Sequence, residues 1–289
     1  MPRVAYVNGR YRSYASAMLH AEDRGFQFAD SIYEGIGVWQ GELVDFGPHF
    51  DRLSRSASQI NLRLPCGAAA LEVIAGECIR RNHVAQGLVY VQVTRGSAPR
   101  KHIFPSVEKP SLVVTATTLA PPYDRYPLGV GILTQPDLRW QRCDIKSTAL
   151  LANILAKQAA YEAGAYDAWF VDAKGAITEG GSTNAWIAPD DNTLVTRGPS
   201  NALLNGVTRA SVIKLAREDR LKVVERAFTV EEAYASSEAF VTSTTSFVLP
   251  VVRIDGREIG DGRVGALSKR LQMLYIRYLD ASVSRRSRL

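Results

Sequence analysis

The 289-residue chain predicts an α+β first half followed by a mixed α/β second half. Three observations predict it. Two alternating segments fold back on Asn8-Gly9 and Gln40-Gly41, and runs of helical spacing follow them. A proline-rich stretch, Leu119-Ala120-Pro121-Pro122-Tyr123-Asp124-Arg125-Tyr126-Pro127, breaks the pattern, because proline locks φ and offers no N–H to a helix or a ladder. Beyond it strand and helix patterns alternate to the C-terminus. The expected organisation is a smaller N-terminal α+β domain over 1–118, a linker over 119–129, and a larger C-terminal domain over 130–289.

The elements follow in order. Residues 4–12 read as a hairpin around Asn8-Gly9, the stronger turn signal, and residues 36–46 as a second around Gln40-Gly41. Apolar residues recur at helical spacing over 50–64 and 68–84. Strands are expected at 88–94 and 112–118, separated by a loop over 95–110. Past the linker, 130–134 is a strand. A helix then follows Lys146, with Ser147 as cap, Leu150, Leu151, Ile154 and Leu155 as its apolar stripe, and Gly164 as stop. Short strands are expected at 168–171, 176–178 and 184–187, a helix at 207–217, a strand at 223–226 and a short helix at 230–234. Strands at 239–243 and 248–254 precede a closing amphipathic helix at 264–279. The sequence contains no internal repeat.

Hydrophobic and charged fractions of 46% and 22% are those of an ordinary globular protein. The start, Met1-Pro2-Arg3-Val4-Ala5-Tyr6, has no signal-peptide pattern, and no apolar run reaches bilayer length; a cytoplasmic protein without a membrane partner is expected. Cys66, Cys78 and Cys143 are odd in number and lack metal-ligand spacing, which suggests reduced thiols; Cys143 reads as a buried packing thiol. Part of the net charge of +6 lies in Arg285-Arg286-Ser287-Arg288, read as a frayed basic tail. The rest is scattered, with no basic stripe interleaved with aromatics, so nucleic acid is not an expected partner. A mild positive field suits anionic small molecules.

Lys146, in Arg142-Cys143-Asp144-Ile145-Lys146-Ser147-Thr148, places an amine at a predicted strand-to-helix junction. The positive end of a helix dipole favours the free amine that forms a Schiff base with an aldehyde. The competing reading is an exposed basic residue. In Ile177-Thr178-Glu179-Gly180-Gly181-Ser182-Thr183-Asn184, glycines allow close backbone approach, and a carboxylate can hold a heterocyclic nitrogen protonated; a polar turn is the plain alternative. Leu203-Leu204-Asn205-Gly206-Val207-Thr208-Arg209 runs into a helix whose free N–H groups, with the Thr208 hydroxyl, suit a phosphate. Thr242-Ser243-Thr244-Thr245-Ser246 adds hydroxyl donors, although helix starts and Thr-rich strand ends are common in themselves. In Arg95-Gly96-Ser97-Ala98-Pro99-Arg100-Lys101-His102, Arg100 and His102 present donors to a carboxylate, or belong to a solvated charged loop. Tyr33, in Phe28-Ala29-Asp30-Ser31-Ile32-Tyr33-Glu34-Gly35, is a hydroxyl near a glycine or a buried aromatic at a strand entry.

Taken together, the Lys146 run, Thr178-Glu179-Gly180 and Gly206-Val207-Thr208 resemble, in order and over nearly the whole chain, the class IV (fold-type IV) pyridoxal-phosphate aminotransferases. The resemblance implies a two-domain subunit with a mixed, barrel-like C-terminal domain, pyridoxal 5'-phosphate in the cleft between the domains, and a homodimer. Lys146 resembles the Schiff-base lysine and acid/base, and Glu179 the partner of the pyridine nitrogen. Arg52, in His49-Phe50-Asp51-Arg52-Leu53, matches the phosphate-binding arginine, although by itself it reads as a surface arginine on a helix. Gly206, Val207, Thr208, Ser243 and Thr244 match the phosphate cradle, Ser182 and Thr183 the cofactor's hydroxyl partners, and Leu204 the apolar residue packed on the ring. Arg100 and His102, with Tyr33, resemble the carboxylate trap of D-amino-acid (D-alanine) aminotransferases, in which this loop reaches into the partner's site. Gly181 stands where a hydroxyl residue is frequent, and Gly35 where a bulkier side chain is expected. The implied activity is transamination between a D-amino acid and a 2-oxo acid. Alternative activities on this fold are branched-chain L-aminotransfer and aminodeoxychorismate lysis; outside enzymes, the alternatives are a non-catalytic binding protein and a basic nucleic-acid binder.

Overall fold

The computed structural model describes residues 3–286 and divides into two compact units. The first comprises Met1–Ala120, Ile145–Ala149 and Ser282–Leu289, the second Pro121–Asp144 and Leu150–Ala281. The division therefore falls next to the prolines, but the Lys146 segment groups with the first unit.

In the first unit, β1 (Val4–Val7), β2 (Arg10–Ser13), α1 (Arg24–Phe28), β3 (Ser31–Trp39), β4 (Glu42–Leu43), α2 (Phe46–Gln59), α3 (Ala68–Asn82), β5 (Gln86–Thr94) and β6 (Ser111–Thr118) follow in order. The strands form an antiparallel sheet in the order β2-β1-β6-β5-β3-β4. Both predicted hairpins are present. Asn8 and Gly9 (φ 46° and 90°), and Gln40 and Gly41 (φ 50° and 83°), adopt the left-handed backbone that tight hairpins demand. Alternation sorts the sheet faces: Ile32, Ile36, Val89, Val91, Val93, Val114 and Ala116 pack with Leu53 and Ala57 of α2 and Leu71, Ala75 and Cys78 of α3. Ser31, Tyr33, Gly35, Tyr90 and Gln92 occupy the alternate positions. The short helix α1 escapes periodicity because it is only five residues long; its signal is Asp23, whose carboxylate caps it by accepting from Gly25 N–H at 2.9 Å.

The second unit contains β7 (Val130–Pro136), α4 (Leu151–Glu162), β8 (Asp167–Val171), β9 (Ile177–Gly180), β10 (Asn184–Asp190), β11 (Thr193–Thr196), α5 (Val207–Glu218), β12 (Lys222–Glu225), α6 (Val230–Tyr234), β13 (Glu238–Ser243), β14 (Phe247–Ile254), β15 (Arg257–Glu258) and α7 (Ala266–Arg286). Its mixed sheet runs β12-β11-β10-β13-β14-β7-β8-β9, parallel where β11 meets β12 and where β7 meets β14 and β8. The sheet curls: β9 lies at one end of the order, yet Gly180 N–H donates to Thr183 O at 2.7 Å and Asn184 of β10 reaches Glu179 of β9. Fully buried Trp169, Phe170, Trp186 and Phe240 fill the interior, with Trp186 stacked on Phe240 at 5.2 Å.

The structure departs from the sequence reading at four points. Ser147 does not cap α4: it forms a bridge with Ile32, and the helix starts at Leu151. Its predicted apolar stripe also points outward, with Leu151, Ile154 and Leu155 between 60% and 70% exposed. Ala156 and Ala160 face Ala168 and Phe170 of β8 instead, because close approach of a helix to a sheet requires small residues. The strand β11 follows Asp190-Asp191-Asn192 and is too short for alternation to register. Finally, α7 continues through Arg286, so the predicted tail begins inside a helix; Ser287 and Arg288, like Met1 and Pro2, lie outside the described residues. Among the described residues no helix is long and apolar enough to cross a membrane. The three cysteines are free thiols, with Cys78 buried and Cys143 only partly so.

The α4 packing makes a direct prediction. Ala160→Leu inserts three carbons into a site with no exposure and should lower unfolding free energy by about 1–3 kcal/mol, read by urea denaturation.

Candidate active site

Lys146 is positioned by strand pairing. Its carbonyl accepts from Tyr33 N–H at 2.9 Å, Thr148 N–H donates to Ser31 O at 3.2 Å, and Ser147 bridges Ile32 between them. Its own N–H donates to Ser56 Oγ on α2 at 3.2 Å. Ser31 and Thr148 share a hydroxyl hydrogen bond at 2.5 Å. With its backbone held on both sides, Lys146 places Nζ 4.2 Å from the Tyr33 ring centroid, and that amine takes no hydrogen bond or ion pair among the described residues. A helix dipole is not what positions it, since α4 begins five residues later. The Tyr33 ring lies 5.6 Å from Tyr90. Burial, and after it Tyr33, pushes the Tyr90 phenol up to about 12. Gly35, two residues along the same face, leaves room: a Cβ there would meet the Leu88 side chain, Cδ1 at 3.4 Å and Cδ2 at 4.0 Å.

Arg52 is no surface residue. Its Nε and Nη2 donate to the two oxygens of Glu34, each at 2.8 Å, and His49 Nδ1 lies 2.8 Å from Glu34 Oε2. Burial alone would push the Glu34 carboxyl up, but the Arg52 charge and the bonds from Arg52 and His49 overcome it and hold the group down at about 2. Burial lowers His49, which stays neutral and orients the carboxylate. Glu34 and His49 carried no signal in sequence beyond their spacing from Tyr33 and Arg52.

The 95–110 loop is organised by two buried arginines. Arg24 donates to Asp30 Oδ2 at 2.8 Å and to Lys101 O at 2.5 Å. Arg95 donates to both oxygens of Asp30, at 3.1 and 2.9 Å, to Ile60 O and Asn61 O, and pairs with Glu108. Asp30 is thus the shared anchor. Arg100 and His102 are exposed and flank Phe28: the guanidinium stands 5.0 Å and the imidazole 5.5 Å from its ring centroid. Neither touches Tyr33 of the same chain.

In the second unit, Glu179 Oε2 accepts from Leu204 N–H at 3.1 Å and Asn184 Nδ2 at 3.3 Å, and Oε1 accepts from Arg139. Arg139, which sequence reasoning passed over, has only its place two residues after Asp137 as a signal. Asn184 Nδ2 also donates to Leu204 O at 2.9 Å, tying the Leu204–Thr208 turn to β10. At Gly206 a Cβ would lie 2.1 Å from Asn184 Oδ1, so a larger residue would displace the Asn184 amide from its bonds to Leu204 and Glu179. Gly206 opens α5, where the N–H groups of Val207 and Thr208 and the Thr208 hydroxyl take no partner among the described residues, although Thr208 is only 4% exposed. Asn184 pairs with Thr242 across β10 and β13, so Ser243 and Thr244 sit at the same end of the sheet. The Ser243 hydroxyl is already shared with Thr245 and Ser246.

Ser182 and Thr183 use their hydroxyls inside the β9–β10 turn. Ser182 Oγ accepts from Lys157 at 3.1 Å, and Thr183 donates to buried Asp167 at 2.9 Å. Gly181 has a physical reason: a Cβ there would lie 2.6 Å from Lys157 Cγ and 2.7 Å from Asp167 Oδ1. Cys143, near Lys146 in sequence, is no nucleophile, since burial pushes its thiol up to about 12. Among the described residues no group of three or more His, Cys, Asp or Glu is placed to hold a metal ion.

Residues 31–254 match the family described as Amino-transferase class IV. The chain is 38% identical over 280 residues to the D-alanine aminotransferase of Staphylococcus haemolyticus, covering 96% of this chain and 99% of that one. It is 39% identical over 265 residues to the D-alanine aminotransferase of Bacillus licheniformis, with 92% and 93% covered. In fold it is similar to the branched-chain amino acid aminotransferase of Escherichia coli, with a TM-score of 0.89, 22% identity, and 96% and 94% of the chains covered. A PLP-bound hypothetical aminotransferase of Mycobacterium tuberculosis gives a TM-score of 0.83 at 21% identity, with 96% and 98% covered. By the family match and by relatives of this identity over nearly its full length, the chain belongs to the class IV aminotransferases.

Proposed function

We propose that the protein transfers an amino group between a D-amino acid, of the D-alanine or D-glutamate type, and a 2-oxo acid, with pyridoxal 5'-phosphate as cofactor. The observation that carries the reading is the unpaired Lys146 amine over Tyr33, in a chain 38% identical to a D-alanine aminotransferase.

The residues fit the cofactor. The Thr208 hydroxyl and the Val207 and Thr208 N–H groups, at the start of α5, are donors without partners and suit a phosphate dianion. Arg52, aimed by Glu34, and the Ser243–Thr244 turn are assigned to the same group. Glu179 is assigned to the ring nitrogen and Leu204 to the ring face. Ser182 and Thr183 enter only through the turn they brace. When bound, pyridoxal phosphate supplies an electron sink for negative charge at the substrate Cα. Lys146 would hold the cofactor through its Nζ, and the same amine is the base that would move the proton at the substrate Cα.

Arg100 and His102 are exposed and turned to Phe28, whereas Tyr33 sits with Lys146. A carboxylate trap made of all three is supplied by a second copy of the chain, so the reading includes a homodimer. Fixing the carboxylate decides which substituent of Cα faces Lys146; an L-substrate held the same way presents its side chain where the hydrogen should be. A cytoplasmic enzyme acting on small molecules belongs to the same reading; among the described residues no helix is long and apolar enough to cross a membrane.

Lys146→Ala should abolish the visible absorbance of the bound cofactor and lower turnover by about 10²–10⁴-fold or more. An unchanged spectrum would sink the lysine assignment. Arg100→Ala removes a charge-assisted contact and should raise KM for D-alanine and for 2-oxo acids about 10–100-fold, with cofactor retention on dialysis unchanged. For Glu34, a carboxyl lowered from 4.5 to about 2 on folding adds roughly 3 kcal/mol. That stability is complete above the unfolded value and is lost as pH falls toward 2. Glu34→Gln should therefore unfold more readily than the parent at neutral pH, and the gap should close in acid, read by urea denaturation of the apoprotein.

A further inference from the structure

We propose that Arg139 is the positioning residue that keeps the proton on the nitrogen of the cofactor ring and off Glu179. The proposal rests on the assignment of Glu179 to that nitrogen and deepens it.

Arg139 Nη1 pairs with Glu179 Oε1, and the two side chains are 4% and 9% exposed. The rest of the guanidinium is directed to fixed partners. Nε donates to Asp137 Oδ1 at 2.9 Å, and Nη2 donates to Asp137 Oδ2 at 2.8 Å, Thr178 Oγ1 at 3.1 Å and Ala202 O at 3.0 Å. Its Cζ stands 4.4 Å from the Phe170 ring centroid. Thr178 closes the circle by donating to Asp137 Oδ2 at 2.8 Å. The guanidinium has no freedom to turn away from Glu179.

Charge decides what this does. Asp137, Arg139 and Glu179 together carry one net negative charge in a buried place, and buried charge is stable only when compensated. Burial pushes Asp137 up and Arg139 down, but their mutual bonds reverse both, so Asp137 lies below and Arg139 above its ordinary range. Of the other titratable groups nearby, the Cys143 thiol is neutral and Asp144 is paired with Arg142. The missing positive charge is a protonated ring nitrogen. A proton placed on Glu179 instead would face the Arg139 guanidinium directly, so the cation disfavours it there. Arg139 touches neither substrate nor cofactor in this account; it acts through Glu179.

The test is ¹⁵N NMR of the holoenzyme reconstituted with cofactor labelled at the ring nitrogen, followed across pH. The parent and Arg139→Lys should show a protonated nitrogen. Arg139→Gln should show a neutral one, or one at least about tenfold less occupied by the proton at neutral pH, because the proton then sits on Glu179. Its kcat should fall about tenfold or more, with KM for D-alanine within about twofold of the parent, because carboxylate binding is untouched. Should Arg139→Gln fail to fold, Asp137→Asn/Arg139→Gln removes the buried pair together and is read by the same criterion. A parental ¹⁵N signal in the charge-removing variant overturns the proposal, as does loss of the protonated signal in Arg139→Lys. Glu179→Gln separates the two levels: if it alone loses the protonated signal, Arg139 is merely structural; if it keeps that signal, the assignment of Glu179 itself fails.

Discussion

The antiparallel pairing of residues 146–148 with residues 31–33 is the constraint on which the chemistry of the first unit depends. A lysine side chain carries four rotatable bonds, and an exposed one samples many directions. Here the backbone beneath it is fixed by Tyr33 N–H on one side and Ser56 Oγ on the other. The same pairing makes Tyr33 the surface over which the amine lies. One short stretch of ladder therefore sets a candidate nucleophile and a candidate substrate contact in one register, on the sheet face that the α2–α3 core leaves open.

Each unit repeats one device: a buried charge holds several of the groups assigned above to a ligand. Glu34 holds Arg52, Asp30 holds both arginines that organise the 95–110 loop, and Arg139 with Asp137 holds Glu179. Asp167 does the same for the turn that carries Gly180 and Gly181. Such clusters are expensive to desolvate, and removing one member leaves another buried and unpaired. They fix orientation, and each member depends on the others for its share of stability. A site built this way meets its ligand with donors already aimed, which limits the ordering entropy that binding costs.

Much of this was legible in the sequence, and the reasons are local. Hairpins at Asn8-Gly9 and Gln40-Gly41 follow from residues that tolerate positive φ, and α6 over residues 230–234 from the Thr229–Glu232 capping box. Lys146, Glu179 and Thr208 stand out in sequence because each sits in a short run whose neighbours point to the same proposed role. What escaped was set by tertiary contact. Nothing near Arg139 announces Glu179, forty residues away, and nothing near Arg24 announces the carbonyl of Lys101. The outward stripe of α4 misled for the same reason: periodicity identifies a helix but not which face a sheet selects, and β8 selected alanines. The surroundings expected of Lys146 were wrong for the same reason, since a bridge between Ser147 and Ile32, and not a helix start, defines them.

The central claim is that the Lys146 amine serves amino-group transfer from substrates of one hand. Its most direct test is a single-turnover half-reaction, in which purified holoenzyme without any 2-oxo acid is mixed in turn with D-alanine and L-alanine while the visible absorbance of the cofactor is followed. The account predicts that D-alanine bleaches the absorbance in one phase and releases one pyruvate per site, and that L-alanine leaves it unchanged. Bleaching by L-alanine at a comparable rate, or none by D-alanine, would contradict it.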